Sequence, residues 1–232
     1  MKVEIWSDVV CPWCYIGKRR LEAALARFGH RDEVDVHWHS FELDPGAPPE
    51  RTGDPAERMA AKYGMTREQA AAAHDRITAV AAEEGLAFHL GASRSGNTFD
   101  AHRLLHLAAD RGVQDQVKER LLAAYFVEGE AVGDHDTLVR VVSAAGLDAG
   151  EARSVLDGDK YADDVRADER RASAIGVTGV PFFVFDGRYA VSGAQPADLL
   201  LEVLERSWDE AHPVTLVEGV GGVGCEGDSC SV

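Results

Sequence analysis

Cys11-Pro12-Trp13-Cys14 is where this chain's residue types and spacing promise chemistry. Two thiols at this spacing either cycle between dithiol and disulfide or supply half of a zinc site. Redox cycling needs a thiol that ionises near neutral pH, because the thiolate is what attacks a disulfide. Lowering a thiol pKa from about 8.5 to about 7 raises the thiolate fraction at pH 7 from roughly 3% to roughly 50%. Intrinsic nucleophilicity falls about fivefold over the same interval, so attack gains only modestly. The larger gain is that such a thiolate leaves readily from a mixed disulfide, which suits a shuttle rather than a permanent cross-link. A structural zinc site normally brings a second pair close by, and here the next cysteine is Cys225. Redox chemistry is therefore the favoured reading, with Cys11 as nucleophile and Cys14 as the more buried, resolving thiol.

The flanking residues supply the setting. Lys2-Val3-Glu4-Ile5-Trp6-Ser7 alternates polar with apolar and reads as a strand. Tyr15 to Leu25 reads as a helix. Cys11 thus falls where a strand ends and a helix begins, beside unpaired N–H groups and a partial positive charge that stabilise a thiolate. Pro12 suits a first helical turn, where its missing N–H costs nothing. Lys18-Arg19-Arg20 in the next turn adds a weak, solvent-screened positive field.

The chain has 232 residues, enough for one large domain or a domain with a substantial insertion. Its 40 acidic and 24 basic residues leave a formal net charge of −16. That argues against nucleic acid or an anionic membrane as partner, since both select basic patches. Glu4, Ser7 and Asp8 interrupt any apolar signal-like run at the start. No stretch is long and apolar enough to span a bilayer. The expected compartment is the cytoplasm, where a CxxC pair is more often catalytic than structural.

A second alternating segment, Glu33 to Phe41, completes a strand–helix–strand unit whose crossover should be right-handed. Pro45, Pro48, Pro49 and Pro55 mark a breaker, and helices are predicted over 55–64, 66–84, 98–111, 114–127, 135–145 and 160–175. Thr66 with Gln69 fits a capping box, and Gly85 fits a helix stop. Pro181 to Phe185 and Arg188 to Ser192 flank an Asp186-Gly187 hairpin turn, and a last helix runs from Pro196 to Trp208. The division expected is a βαβ half over 1–50, an all-helical insertion over 51–160, a helix plus ββα half over 161–212, and a glycine-rich flexible tail over 213–232 that carries Cys225 and Cys230.

These pieces resemble the thioredoxin-fold oxidoreductases of the DsbA superfamily, and within it the FrnE-like group. The matching blocks are Ser7 to Gly17, Phe41 to Pro45, Asn97 to Leu104 and Gly176 to Pro181. The resemblance covers essentially the whole chain and implies an α/β class, DsbA-like: a thioredoxin fold split by a large all-helical insertion. It implies that Pro181 forms a cis peptide beside the cysteines, with Val180 offering its backbone to a substrate peptide. Pro12, Trp13 and Val180 are then expected to line the substrate cleft, and His102, which lies in a matching block, to border it. Periplasmic relatives often carry a histidine between the cysteines. Trp13 bears no charge, so a less oxidising pair is expected here.

Other candidates have blander readings. His106, one turn beyond His102, reads as a boundary residue. His37 and His39 share the polar face of a strand, without a third ligand nearby for zinc. Arg170-Arg171 reads as a solvated helix face. The tail pair Cys225/Cys230 has an extended reach of roughly 40 Å against a radius of gyration of roughly 17 Å, so exchange with Cys11/Cys14 is feasible at an effective concentration near millimolar.

Three functions compete. The first is a cytoplasmic disulfide reductase or isomerase acting on disulfide-containing proteins or small thiols. It needs no organic cofactor or metal, and glutathione or another thiol serves as donor. The second is a glutathione-dependent isomerase of a small aromatic or polyketide compound, a class in the same superfamily that typically carries serine at the position of Cys11. The third is a non-enzymatic module holding zinc through Cys11, Cys14, Cys225 and Cys230. Composition leaves the oligomeric state open.

Overall fold

The strand that leads into the cysteine pair is the second of four in a mixed sheet. β1 (Lys2–Ser7) runs parallel to β2 (Asp35–Ser40), with Lys2 opposite Asp35 and Ser7 opposite Ser40. Its other edge is antiparallel to β3 (Phe182–Phe185), which pairs antiparallel with β4 (Tyr189–Ser192), giving the order β2-β1-β3-β4. The structure is a computed structural model, which describes residues 1–213 and the backbone of 225–226 and 229–230. A parallel pair needs a crossover, and α1 (Pro12–Arg27) provides it. Asp186 and Gly187 both take positive φ, 48° and 66°, as the tight turn between β3 and β4 requires.

Helices cover both faces of the sheet, so β1 is buried from Val3 to Ser7. On one face Val3 and Ile5 pack with Leu21 of α1 and with Leu200, Leu204 and Trp208 of α9 (Ala197–Ala211). On the other, Trp6 packs with Val184 and with Ala172 of α8 (Ala162–Ala174).

Between the halves of the sheet the chain builds α2 (Pro55–Tyr63), α3 (Arg67–Glu83), α4 (Phe99–Asp110), α5 (Gln114–Phe126), α6 (His135–Ser143) and α7 (Ala149–Asp157). Their shared core, centred on Leu104, Leu107, Leu121, Phe126 and Val141, also takes in Tyr15 and Ile16. Helix α1 therefore faces two cores, the sheet through Leu21 and the helices through Ile16. Its first turn lies at their junction. Helices α2 and α3 bury a separate small cluster, Ala56, Ala60 and Ala70, with Met59 and Met65 packed on it.

The capping box at α3 is present in both directions, and Gly85 has φ 75°. Helix α7 has no counterpart among the predicted helices. It has nine residues with Gly150 inside it, so its periodic signal is short; the Asp148 carboxylate caps it by accepting from the Glu151 N–H. The final helix runs to Ala211, past the expected end at Trp208, and His212 stacks on Trp208 with ring centroids 3.9 Å apart. Glu33 belongs to a short 3₁₀ turn, so β2 starts at Asp35.

Candidate active site

Cys11 is the N-cap of α1 (φ −93°, ψ 114°), with Pro12 opening the first turn and no acidic side chain in that turn. The Cys14 N–H donates to the Cys11 carbonyl at 3.0 Å, which ties the two residues into one turn. Both cysteines are free thiols and both are buried, Cys11 at 4% exposure and Cys14 at 0%. The Cys11 thiol donates to the Val180 carbonyl oxygen at 3.4 Å. The Val180–Pro181 peptide is cis. Pro181 packs on α1 at Gly17, where a Cβ would stand 2.9 Å from the proline Cγ and 3.3 Å from Phe183. A side chain at position 17 would push Pro181, and Val180 with it, away from Cys11.

The distribution of charge differs from what the helix start alone suggests. A hydrogen bond to Cys14, burial and the neighbouring Asp8 charge push the Cys11 thiol well above its ordinary range. Burial also opposes ionisation of Cys14, but the Cys11 thiol, the Lys118 charge, the Ser7 hydroxyl and the Asp8 N–H outweigh it and bring Cys14 down. Ionisation is thus favoured at Cys14 over Cys11, and once one thiol is charged the other holds its proton. Cys11 keeps its proton because a nearly sealed thiol beside a carbonyl oxygen is a donor.

Lys118 supplies the cation. It lies on α5, is fully buried, donates to the Ser7 carbonyl at 3.5 Å and stands 5.5 Å from the Trp38 ring centroid. Burial pushes its ammonium down to about 8, against the pull of Cys14 and Asp8. The residues ahead of it did not single it out, yet the signal was there: Gln114, Lys118, Leu121, Leu122 and Tyr125 form one helical stripe, and a lysine on such a stripe is buried.

Asp8 is also buried. It accepts from the Leu43 N–H at 2.8 Å and from His102 Nε2 at 3.4 Å. Burial would raise its carboxyl, but His102, the Leu43 N–H and Lys118 hold it below the usual range. His102 does not border the cleft as expected. It is 0% exposed behind Asp8, burial lowers its pKa, and its Nδ1 has no partner among the described residues. The matching block points to the right helix, but packing of α4 against the site turns that face inward.

Several surface readings change likewise. Arg171 is exposed as expected, yet it is not free: it reaches in from the helix face to pair with the buried Glu4 through both terminal nitrogens, at 2.7 and 2.9 Å. His39 sits buried between Asp168 (2.6 Å) and Glu4 (3.0 Å), because α8 covers that face of β2. His106 reaches the same group through Ser40 Oγ at 3.1 Å. Lys18 is buried and paired with Glu22, Asp115 and Glu119, so it adds no free field at Cys11. Among the described residues no group of three metal-ligating side chains occurs. The proposed exchange with Cys225 and Cys230 lies outside the described residues, which there include only two short paired backbone segments.

Cys11 opens onto a cavity of about 540 Å³. Pro12, Trp13 and Val180 form its wall beside the thiol, and Trp13 is 39% exposed. The rest comes from α2, α3, the end of α5 and the segments 43–47 and 90–98. The last two are stitched together by main-chain bonds from Arg51 to Ser95 and from Asn97 to Pro48. Gly96 makes room for this, since a Cβ there would fall on the Pro49 carbonyl oxygen.

Known proteins are similar to this chain in sequence and fold. The model of the DSBA-like thioredoxin domain family matches residues 2–205. The probable DsbA oxidoreductase SCO1869 of Streptomyces coelicolor superposes with a TM-score of 0.87 at 48% identity, over 100% of this chain and 99% of that one. The uncharacterized protein YwbO of Bacillus subtilis is 27% identical over 199 residues, 85% of this chain and 92% of its own length. The cytosolic disulfide reductase DsbM of Pseudomonas aeruginosa, solved with glutathione, shares the fold at a TM-score of 0.63 and 19% identity, over 90% of this chain and 99% of that one.

Proposed function

The chain belongs to the DSBA-like thioredoxin domain family, a thiol–disulfide oxidoreductase by that membership, and we propose that it works as a disulfide reductase or isomerase in the cytoplasm. The observation that carries the reading is the position of Cys11. Its thiol lies between Cys14 and the Val180 carbonyl, at the wall of a cavity.

A proton passing from Cys11 to Cys14 leaves the anion on Cys11, which attacks one sulfur of a substrate disulfide. A mixed disulfide forms and one substrate thiolate leaves. Cys14, charged again beside Lys118, attacks the Cys11 sulfur and expels the second thiolate. Two electrons pass from the cysteine pair to the substrate, the one proton the pair still held passes from Cys14 to a released sulfur, and the other released sulfur leaves as thiolate. A low-molecular-weight thiol restores the dithiol by the reverse exchange. The glutathione held by the cytosolic relative supports such a donor, and a reducing compartment would keep the pair mainly as dithiol.

The test is insulin-disulfide reduction under glutathione or dithiothreitol, with wild type, Cys11→Ser and Cys14→Ser. Cys11→Ser should lose the activity, and Cys14→Ser should accumulate a mixed disulfide visible by intact mass. Equal rates in wild type and Cys11→Ser would overturn the reading.

A further inference from the structure

We propose that the cavity beside Cys11 is a substrate site for a small organic disulfide that carries a carboxylate on an apolar, aromatic-sized body; this rests on the oxidoreductase reading above. Three observations carry it.

The first is access. Cys11 is 4% exposed and faces a half-open cavity rather than a flat surface. A volume of about 540 Å³ is in the range of small-molecule sites. A small disulfide fits within this space and lies against its lining while one of its sulfurs meets the Cys11 thiol.

The second is the lining. Tyr125, Phe126, Leu90, Ile77, Met59 and Met65 make the interior apolar. Methionine adapts to flat or irregular ligands, and Tyr and Phe offer ring faces for stacking. A wholly polar ligand would lose its hydration here without replacement.

The third is the sign of the charge. The chain carries 16 more acidic than basic residues, yet the cavity inverts that balance. Its cations are Arg51, Arg58 and Lys62; its carboxylates are Asp8 and Asp44. Asp8 is turned to Leu43 and His102, and Asp44 is paired with Arg51. Arg58 donates to the Gly53 carbonyl and to the Thr52 carbonyl at 3.3 Å. Lys62 lies 5.6 Å from the Tyr63 ring centroid. Neither has a carboxylate within 4 Å among the described residues. Both lie on α2, whereas Cys11 stands at the start of α1, and the apolar residues share the same lining, so a sulfur and an anionic group carried on one apolar body satisfy the site together.

In the reaction, Cys11 forms a disulfide with the sulfur of the enclosed half, and the other half leaves as thiolate. Cys14 then closes on Cys11 and the enclosed half leaves as the second thiolate. Single turnover of the pre-reduced protein needs no further reductant.

The experiment measures single-turnover rates of the reduced full-length chain with four disulfides. They are 5,5′-dithiobis(2-nitrobenzoate), aromatic and anionic; 4,4′-dithiodipyridine, aromatic and neutral; oxidised glutathione, polar and anionic; and cystamine, small and cationic. Each rate is divided by that of dithiothreitol with the same disulfide, which removes intrinsic reactivity. The dinitrobenzoate should show the largest ratio. Its preference over dithiodipyridine should fall about tenfold in Arg58→Gln/Lys62→Gln, as expected for two partly exposed ion pairs, and should erode in 0.5 M salt. Loss of the Arg58 bonds to the Thr52 and Gly53 carbonyls would act on α2 itself (a structural effect lowers both aromatic rates together), so Lys62→Glu, at an exposed position, is the second variant and should lower the preference as well. Equal ratios for all four disulfides, or a preference that the variants leave intact, would overturn the site while insulin reduction still upheld the oxidoreductase reading. Failure of Cys11 to react with any of them would remove both.

Discussion

Gly17 and Pro181 meet with no room for a side chain between them: the Cβ that Gly17 lacks would stand 2.9 Å from the Pro181 ring. Gly17 has ordinary helical backbone, so freedom of φ is not the reason for glycine here. The reason is distance. Helix α1 carries Cys11 and the 180–181 segment carries the carbonyl that its thiol contacts, and only a bare Cα lets the two approach.

Gly17→Ala should therefore separate the two halves of the site. Proline cannot rotate out of the way, so the methyl costs about 1–3 kcal/mol of overpacking. The melting temperature should drop by several degrees, and kcat/KM for disulfide reduction should fall about tenfold, more than the loss of folded protein explains. Calorimetry and the insulin assay check this together; a variant with wild-type kcat/KM would show that the contact does not set the site.

Lys118→Met should trade activity against stability. The ammonium is held down to about 8 by burial, from an ordinary 10.5. Between those values the unfolded chain binds the proton and the folded chain does not, so this group makes stability rise with pH from about 8 to about 10.5. At pH 7 the folded protein carries the full cost of the buried charge, about 3 kcal/mol at most. Methionine removes that cost and fills the space, so the variant should melt higher at pH 7. It should also lose the cation beside Cys14, and the pH profile of iodoacetamide alkylation should move to higher pH. A profile that stays in place would mean that Lys118 does not support the thiolate.

Glu4 should account for part of the acid sensitivity. Burial alone would raise its carboxyl, but Arg171, Lys2 and His39 hold it down to about 2. Its stabilising share is complete above the ordinary value of 4.5 and is lost as pH falls through about 2. Glu4→Gln should melt lower than wild type at pH 7, and the gap should close as pH approaches 2. Melting curves from pH 2 to 7 decide it; a gap that stays constant would assign the loss to packing rather than to charge.

What the sequence by itself determined is local. The strand before Cys11, the helix after it, the capping box at Thr66 and the hairpin at Asp186-Gly187 depend on neighbours within a few residues, and each was legible from its own segment. The nucleophile pair was legible for the same reason, since CxxC spacing at a helix start is a property of one turn. What only the tertiary structure decided is which polar groups share a buried space. Lys118 lies 104 positions from Cys14, and Asp168 lies 129 from His39. The sign of a local field depends on such distant partners, and on burial, which weakens solvent screening. So ionisation came to be favoured at Cys14 over Cys11, His102 turned inward, and Arg171 became a clamp on the buried Glu4. The cavity is a product of assembly in the same way: its walls come from α1, α2, α3, α5 and the loop before β3, and no single segment carries its shape.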